Sequence, residues 1–187
     1  MRRRGGLARA RLEEAPAVVL PRAHHGGDAR QAAVLEADNE PPRHPDRAGR
    51  PEPPILKFDP SGKLLKAWGE NMFVFPHGAT LDPNGNLWVT DQRTENGKGA
   101  QVFKFSPDGK LLMTLGKAGV ASAEPGLFDE PTDVVVNQRG EIFISEGHSG
   151  GTKGNDRISK FDKNGKFLKS WGTTGSGPEN LHSPHAL

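Results

Sequence analysis

Cysteine is absent from the 187 residues. That absence excludes disulfides, thiolate metal sites and cysteine nucleophiles, so any metal must be held by histidine and oxygen. Aromatic residues make up only 6% and apolar residues 33% of the chain, too little for a large core spread along its whole length. No apolar run approaches the roughly 18 residues of a membrane span. The net charge of +2 provides no global field for gripping nucleic acid or an acidic membrane, so neither is favoured as a partner.

The scarcity is uneven. Residues 1–54 contain no lysine and no aromatic residue but ten of the thirteen arginines and eight of the sixteen prolines, whereas 55–187 hold all twelve lysines, nine Phe and three Trp. The composition therefore predicts two parts: an Arg/Pro/Ala-rich arm over 1–54, disordered or atypical and without chemistry, and a folded region over 55–187. Arg, Ala, Pro and Gly without Lys is also what a GC-rich reading frame yields. Met1 to Arg4 resemble a basic leader, but the apolar stretch Ala17 to Leu20 is far shorter than an export signal requires. The compartment stays open.

What is abundant after residue 55 is repetition. ILKFDPSGKLLKAWG (55–69), VFKFSPDGKLLMTLG (102–116) and ISKFDKNGKFLKSWG (158–172) are three copies of one hairpin, each with a Phe (Phe58, Phe105, Phe161) before a polar turn ending in Gly (Gly62, Gly109, Gly165). Such turns suit a type I geometry with glycine in the left-handed position. A second hairpin alternates with the first, FPHGATLDPNGNLWVTD (75–91) and EPTDVVVNQRGEIFISE (130–146), and SPHAL begins a third copy. The opening prolines Pro76, Pro131 and Pro184 are spaced 55 and 53 residues apart. Short strands at this period predict the four-stranded blades of an all-β propeller, incomplete here: two whole blades and two partial ones. A closed ring needs typically four to eight blades, so the chain is expected to be a piece of a longer protein. Trp68, Trp88 and Trp171 are assigned to packing between strands, and Asp91 and Glu146 to holding turns through backbone hydrogen bonds.

The first strand of each propeller blade lines the central channel, so residues in one register converge on the axis. After the opening prolines that register reads His77, Thr132 and His185. In a six-bladed ring, imidazoles in alternate blades describe a triangle, the donor set of a three-histidine metal with an open fourth position. The third ligand is then expected two blades beyond His185, outside this chain. The competing assignment is that His77 and His185 cap inner strands by hydrogen bonding. Thr132 and Asp133 are candidates for lining the channel, against a role in capping a turn. His182 is assigned to a loop, and His24, His25 and His44 to the solvated arm. The glycine-rich stretch 147–154 lacks the spacing of a phosphate loop.

FPHGATLDPNGNLWVTD, EPTDVVVNQRGEIFISEGH and SPHAL together resemble the peptidyl-α-hydroxyglycine α-amidating lyases, a branch of the six-bladed NHL-repeat propellers, over residues 55–187. The resemblance implies zinc on His77 and His185 with a third histidine missing, and a calcium for which the Ala79 carbonyl is the matching position. It implies cleavage of a C-terminal α-hydroxyglycine to a peptide amide and glyoxylate. Animal members of that family carry a tyrosine base in an Asp-Gly-Tyr-Cys stretch; the matching run here is Glu146, Gly147, His148, Ser149, and tyrosine is absent from the chain. His148 is the candidate substitute base, against a solvated loop residue, and Arg157, across the inserted loop, is the second candidate catalytic residue.

Two functions follow. One is a zinc-dependent lyase acting on a peptide or small hydroxy-acid substrate. The other is a non-catalytic NHL propeller that presents its loops to a protein, peptide or carbohydrate.

Overall fold

The computed structural model of the chain describes residues 18–19, 32–35, 53–148 and 155–187. Among these residues it is all β, with twelve strands in three four-stranded antiparallel sheets. The first sheet runs β1 (Val18–Val19), β2 (Ala32–Leu35), β3 (Ile55–Phe58), β4 (Leu64–Trp68). The second runs β5 (Pro76–Leu81), β6 (Leu87–Glu95), β7 (Lys98–Phe105), β8 (Leu111–Gly116). The third runs β9 (Pro131–Val136), β10 (Ile142–Glu146), β11 (Arg157–Phe161), β12 (Phe167–Trp171). These are propeller blades, in the chain order that the repeats predict. No described helix is long and apolar enough to cross a membrane.

The first blade holds more than the hairpin expected from residue 55 onward. β2 pairs with β3 from Ala32↔Phe58 to Leu35↔Ile55, and β1 pairs with β2. Composition does not reveal such strands, because the unpaired N–H and C=O groups of an edge can be met by any short β-prone backbone, aromatic or not. The other arm residues, with His24, His25 and His44, lie outside the described residues, as does 149–154.

The repeated hairpins close as their turn residues dictate. Gly62, Gly109 and Gly165 have φ of 82°, 77° and 82°, and each hairpin carries a register shift just before its turn, at Lys57/Phe58, Lys104/Phe105 or Lys160/Phe161. Asp59 and Asp162 tie their turns by accepting the N–H groups of Ser61 and Lys63, and of Asn164 and Lys166. Two of these glycines, Gly109 and Gly165, are also blade contacts. A Cβ on Gly109 would lie 3.0 Å from the Trp68 ring, and one on Gly165 would lie 2.8 Å from Leu115. Each blade thus seats the last strand of its predecessor on a bare turn.

Strand alternation distributes the core between the blades. Leu87, Val89, Phe103 and Phe105 of the second blade pack with Ile55 and Trp68 of the first, while Trp88, Val102 and Leu115 pack with Val134, Ile142, Ile144 and Phe161 of the third. The middle blade is apolar on both faces because it has two neighbours. Trp171 holds the position of Trp68 two blades on, with no further hairpin glycine over it among the described residues, and is 42% exposed where Trp68 is 9%. The assignment to packing therefore holds for Trp68 and Trp88 but not for Trp171 among the described residues.

Asp91 and Glu146 hold equivalent positions in the second strands of their blades, and both are fully buried. Asp91 accepts the N–H groups of Val74 and Phe75, and Glu146 accepts that of Asp129. Each carboxylate thereby fixes the chain just before an opening proline, as expected. Burial pushes the Asp91 carboxyl up to about 6, against the Phe75 and Val74 hydrogen bonds that favour its ionised form.

At Gly78 the inner strands meet backbone to backbone. A Cβ there would lie 2.3 Å from the Thr132 carbonyl oxygen and 2.8 Å from the Asp133 Cα, both main-chain atoms that cannot swing away. Gly78→Ala should push β5 off β9 and lower the unfolding free energy by about 1–3 kcal/mol, read from the urea midpoint. Because the folded-state value of Asp91 is raised from 3.8 to about 6, the folded chain keeps a proton the unfolded chain has lost. Stability is therefore lost as pH rises through that window. Urea unfolding of Asp91→Asn should lack this component, amounting to up to about 3 kcal/mol between pH ~4 and ~7 in the difference from the unaltered chain.

Candidate functional site

Three imidazoles converge at the inner end of the second and third blades. One ring nitrogen from each of His77, His148 and His185 lies within 4.8 Å of the other two. Their ring centroids are 5.1 Å (His77–His148), 5.0 Å (His77–His185) and 4.5 Å (His148–His185) apart. The two histidines expected to meet do so across 108 residues of sequence. A third imidazole stands beside them, that of His148, the candidate base.

One short stretch, Glu130-Pro131-Thr132 at the start of β9, holds all three. The Thr132 carbonyl lies 2.8 Å from His77 Nδ1; a carbonyl only accepts, so Nδ1 carries the proton and Nε2 keeps its lone pair. The Thr132 hydroxyl donates to the Pro184 carbonyl at 2.6 Å, beside His185. Asp133 adds a second tie to the same terminal segment by accepting the Leu187 N–H at 3.0 Å. Glu130 accepts the His148 N–H on its carboxylate at 3.0 Å and the Gly147 N–H on its carbonyl at 2.9 Å. Thr132 is buried and Asp133 half-buried, so the two expected channel residues act here by fastening the histidine-bearing segments to β9.

His77 and His148 are half-buried and His185 is exposed. Burial is the main force pushing His77 below its ordinary value, helped by His148, His185 and Arg93 and opposed by the Thr132 hydrogen bond. Burial also leads for His148, with His185 and Arg93 lowering it further and Glu130 opposing. Both rings thus favour the neutral form, the state in which imidazole binds metal. Burial raises the Asp133 carboxyl, against its bonds from Leu187 and Val134.

Arg157, the second candidate catalytic residue, is engaged in structural contacts. Its Nε donates to Glu146 at 2.9 Å, and its terminal nitrogens donate to the carbonyls of Ala123 at 2.5 Å and Leu127 at 2.9 Å. A buried carboxylate directly across the sheet requires a buried cation, and Glu146↔Arg157 is that register pair. The guanidinium anchors the loop between blades through Ala123 and Leu127 while pairing with Glu146. Ala79 stands opposite Val89 and packs against the first interblade cluster.

Two residues at the site escaped the sequence. Glu130 looks like an interblade loop residue; its left-handed φ of 53°, which Ser183 shares at 49° just before Pro184, is what turns it toward His148. Arg93 lies in the long β6–β7 end that has no counterpart in the other repeats. Its guanidinium carbon sits 4.1 Å from the Phe75 ring centroid, and that ring lies 6.1 Å from His77. Exposed and stacked, with no carboxylate pairing it among the described residues, Arg93 is a cation held at the edge of the imidazole cluster. The irregular extension from Gln92 to Gly99 was the available signal.

The NHL repeat family matches residues 73–98. A peptidyl-glycine alpha-amidating monooxygenase of Mus musculus is 37% identical over 144 residues, covering 73% of this chain and 14% of that protein. Peptidyl-alpha-hydroxyglycine alpha-amidating lyase 1 of Drosophila melanogaster is 39% identical over 151 residues, covering 73% of this chain and 25% of the relative. The human NHL repeat-containing protein 3 is 32% identical over 140 residues, covering 72% and 39%. The chain thus spans only 14% to 39% of the length of these relatives. A solved Bacteroides thetaiotaomicron protein of unknown function shares the fold with a TM-score of 0.59 at 14% identity, over 90% of this chain and 40% of its own. Sequence likeness of this extent, joined to blades built on the same hairpins, makes the chain an NHL-repeat β-propeller similar to the peptidyl-α-hydroxyglycine α-amidating lyases.

Proposed function

We propose that this propeller is the zinc-dependent core of a lyase acting on a C-terminal α-hydroxyglycine or a related small α-hydroxy acid. The observation that carries the reading is the meeting of His77 and His185, which the repeat register had selected, with His77 held by the Thr132 carbonyl in the tautomer a metal needs. The donor set fits zinc: neutral imidazoles, an orienting carbonyl behind the ring, and no thiol anywhere in the chain. Zinc, when bound, supplies a Lewis acid for the substrate's hydroxyl and carboxylate oxygens.

The remaining work belongs to the chain. In the reaction the C–N bond between the amide nitrogen and the hydroxylated carbon breaks, the hydroxyl proton leaves, and the nitrogen gains a proton, giving amide and glyoxylate. Arg93, stacked on Phe75 beside His77, offers a planar fork to the substrate carboxylate. The Thr132 hydroxyl and Asp133 keep the His185 segment against β9, so the site does not depend on an exposed side chain finding its own position.

Metal analysis of the purified chain should find one zinc, lost in His77→Ala. Glyoxylate release from an N-acyl-α-hydroxyglycine should exceed that of zinc alone, and Arg93→Ala should raise KM about tenfold with kcat changed less. A well-folded chain that takes up no zinc and releases no glyoxylate would instead favour the module that binds a partner through its loops.

A further inference from the structure

The geometry points to His148 as a metal ligand, completing with His77 and His185 a three-imidazole site within two neighbouring blades and the segment that follows them. This rests on the zinc reading above and changes the role of His148 from proton acceptor to ligand.

Ring spacing is the first argument. Three imidazoles bound through nitrogen at about 2.0–2.1 Å to a tetrahedral ion have their ring centres about 3.2 Å from the metal, hence about 5.2 Å from each other. The observed separations of 5.1, 5.0 and 4.5 Å are of that size for all three pairs, and His148 stands no further out than the two histidines assigned from the register. The nitrogens, within 4.8 Å, have to close to about 3.3–3.4 Å around an ion of that geometry. The exposed His185 ring and the half-buried His148 ring have room for that rotation.

Anchoring is the second argument, and it is independent of the rings. His148 hangs from Glu130 by its own N–H and that of Gly147, His77 from the Thr132 carbonyl, and the His185 segment from the Thr132 hydroxyl. Three segments distant in sequence are therefore referenced to two residues, Glu130 and Thr132, at the start of β9. An arrangement with all of its donors fixed to one rigid stretch is what a ligand set requires, because each ligand must hold its place relative to the others. A loop histidine without such a task has no need of a carboxylate and a carbonyl from the same residue on its backbone.

The test uses the full 187-residue chain with Zn²⁺ and Co²⁺ as probes. Zinc affinity is measured by competition with a chromophoric chelator for the unaltered chain, His148→Ala, His148→Gln, His77→Ala and, as control, His182→Ala, with near-ultraviolet circular dichroism to verify folding. His148→Ala and His148→Gln should each bind zinc about 100-fold or more weakly and lose intensity in the visible Co²⁺ bands, with His182→Ala unchanged. X-ray absorption on the zinc-loaded unaltered chain should count three imidazoles, a readout that needs no variant to fold. Two imidazoles, or folded His148 variants with unchanged affinity and an unchanged Co²⁺ spectrum, would overturn the assignment. If His77→Ala fails to bind while the His148 variants bind normally, only the role of His148 falls. If His77→Ala also binds normally, the zinc reading falls with it.

Discussion

The close approach of β5 and β9 is the constraint from which the site follows. Gly78 has no side chain where the Thr132 carbonyl and the Asp133 backbone press against it, and that contact lets the same carbonyl reach His77 Nδ1 at 2.8 Å. Thr90 of β6 enters the same junction, with its hydroxyl 3.2 Å from the Thr132 oxygen and 2.7 Å from the Gly78 nitrogen. Main-chain packing between blades and ring orientation at the site are thus one interaction. Widening the junction by a methyl group would separate the strands and release the imidazole together.

The buried carboxylates serve the same end from the rear of the site. Asp91 pins Val74 and Phe75, the two residues before the Pro76-His77 pair, and Phe75 in turn carries the stacked Arg93. Glu146, with Arg157, Ser159 and Asn155 around it, fixes the approach to Glu130-Pro131-Thr132. Taking these charges out of water is costly unless every lone pair finds a donor. Asp91 finds its donors in the Val74 and Phe75 backbone, and Glu146 in the Asp129 N–H together with the Asn155, Arg157 and Ser159 side chains, so the charges define where each inner strand begins. Precise placement of the inner strands, more than extra stability, is what this construction achieves.

Much of this was legible from residue types alone. The hairpin repeats located β3 to β12, since a Phe, a polar turn and a left-handed glycine at constant spacing admit little else. The Pro-His register selected His77 and His185 because equivalent positions of successive blades must face the axis. Arg157 and His148 were marked as worth attention, yet their roles did not follow from position. Arg157 proved to be the counter-charge of a carboxylate eleven residues back, and His148 proved to be a neighbour of both register histidines.

Local pattern therefore accounts for strands, turns and the residues that face inward, since these depend on spacing within a few residues and on the twofold alternation of a strand. It is silent on Glu130 as the anchor of His148, on Arg93 over Phe75, and on two arm segments becoming strands. Each of those arises where backbones remote along the chain come within hydrogen-bond reach. Such meetings depend on how blades stack and on which buried donors remain to be satisfied, and neither is written in the spacing of side chains along one strand.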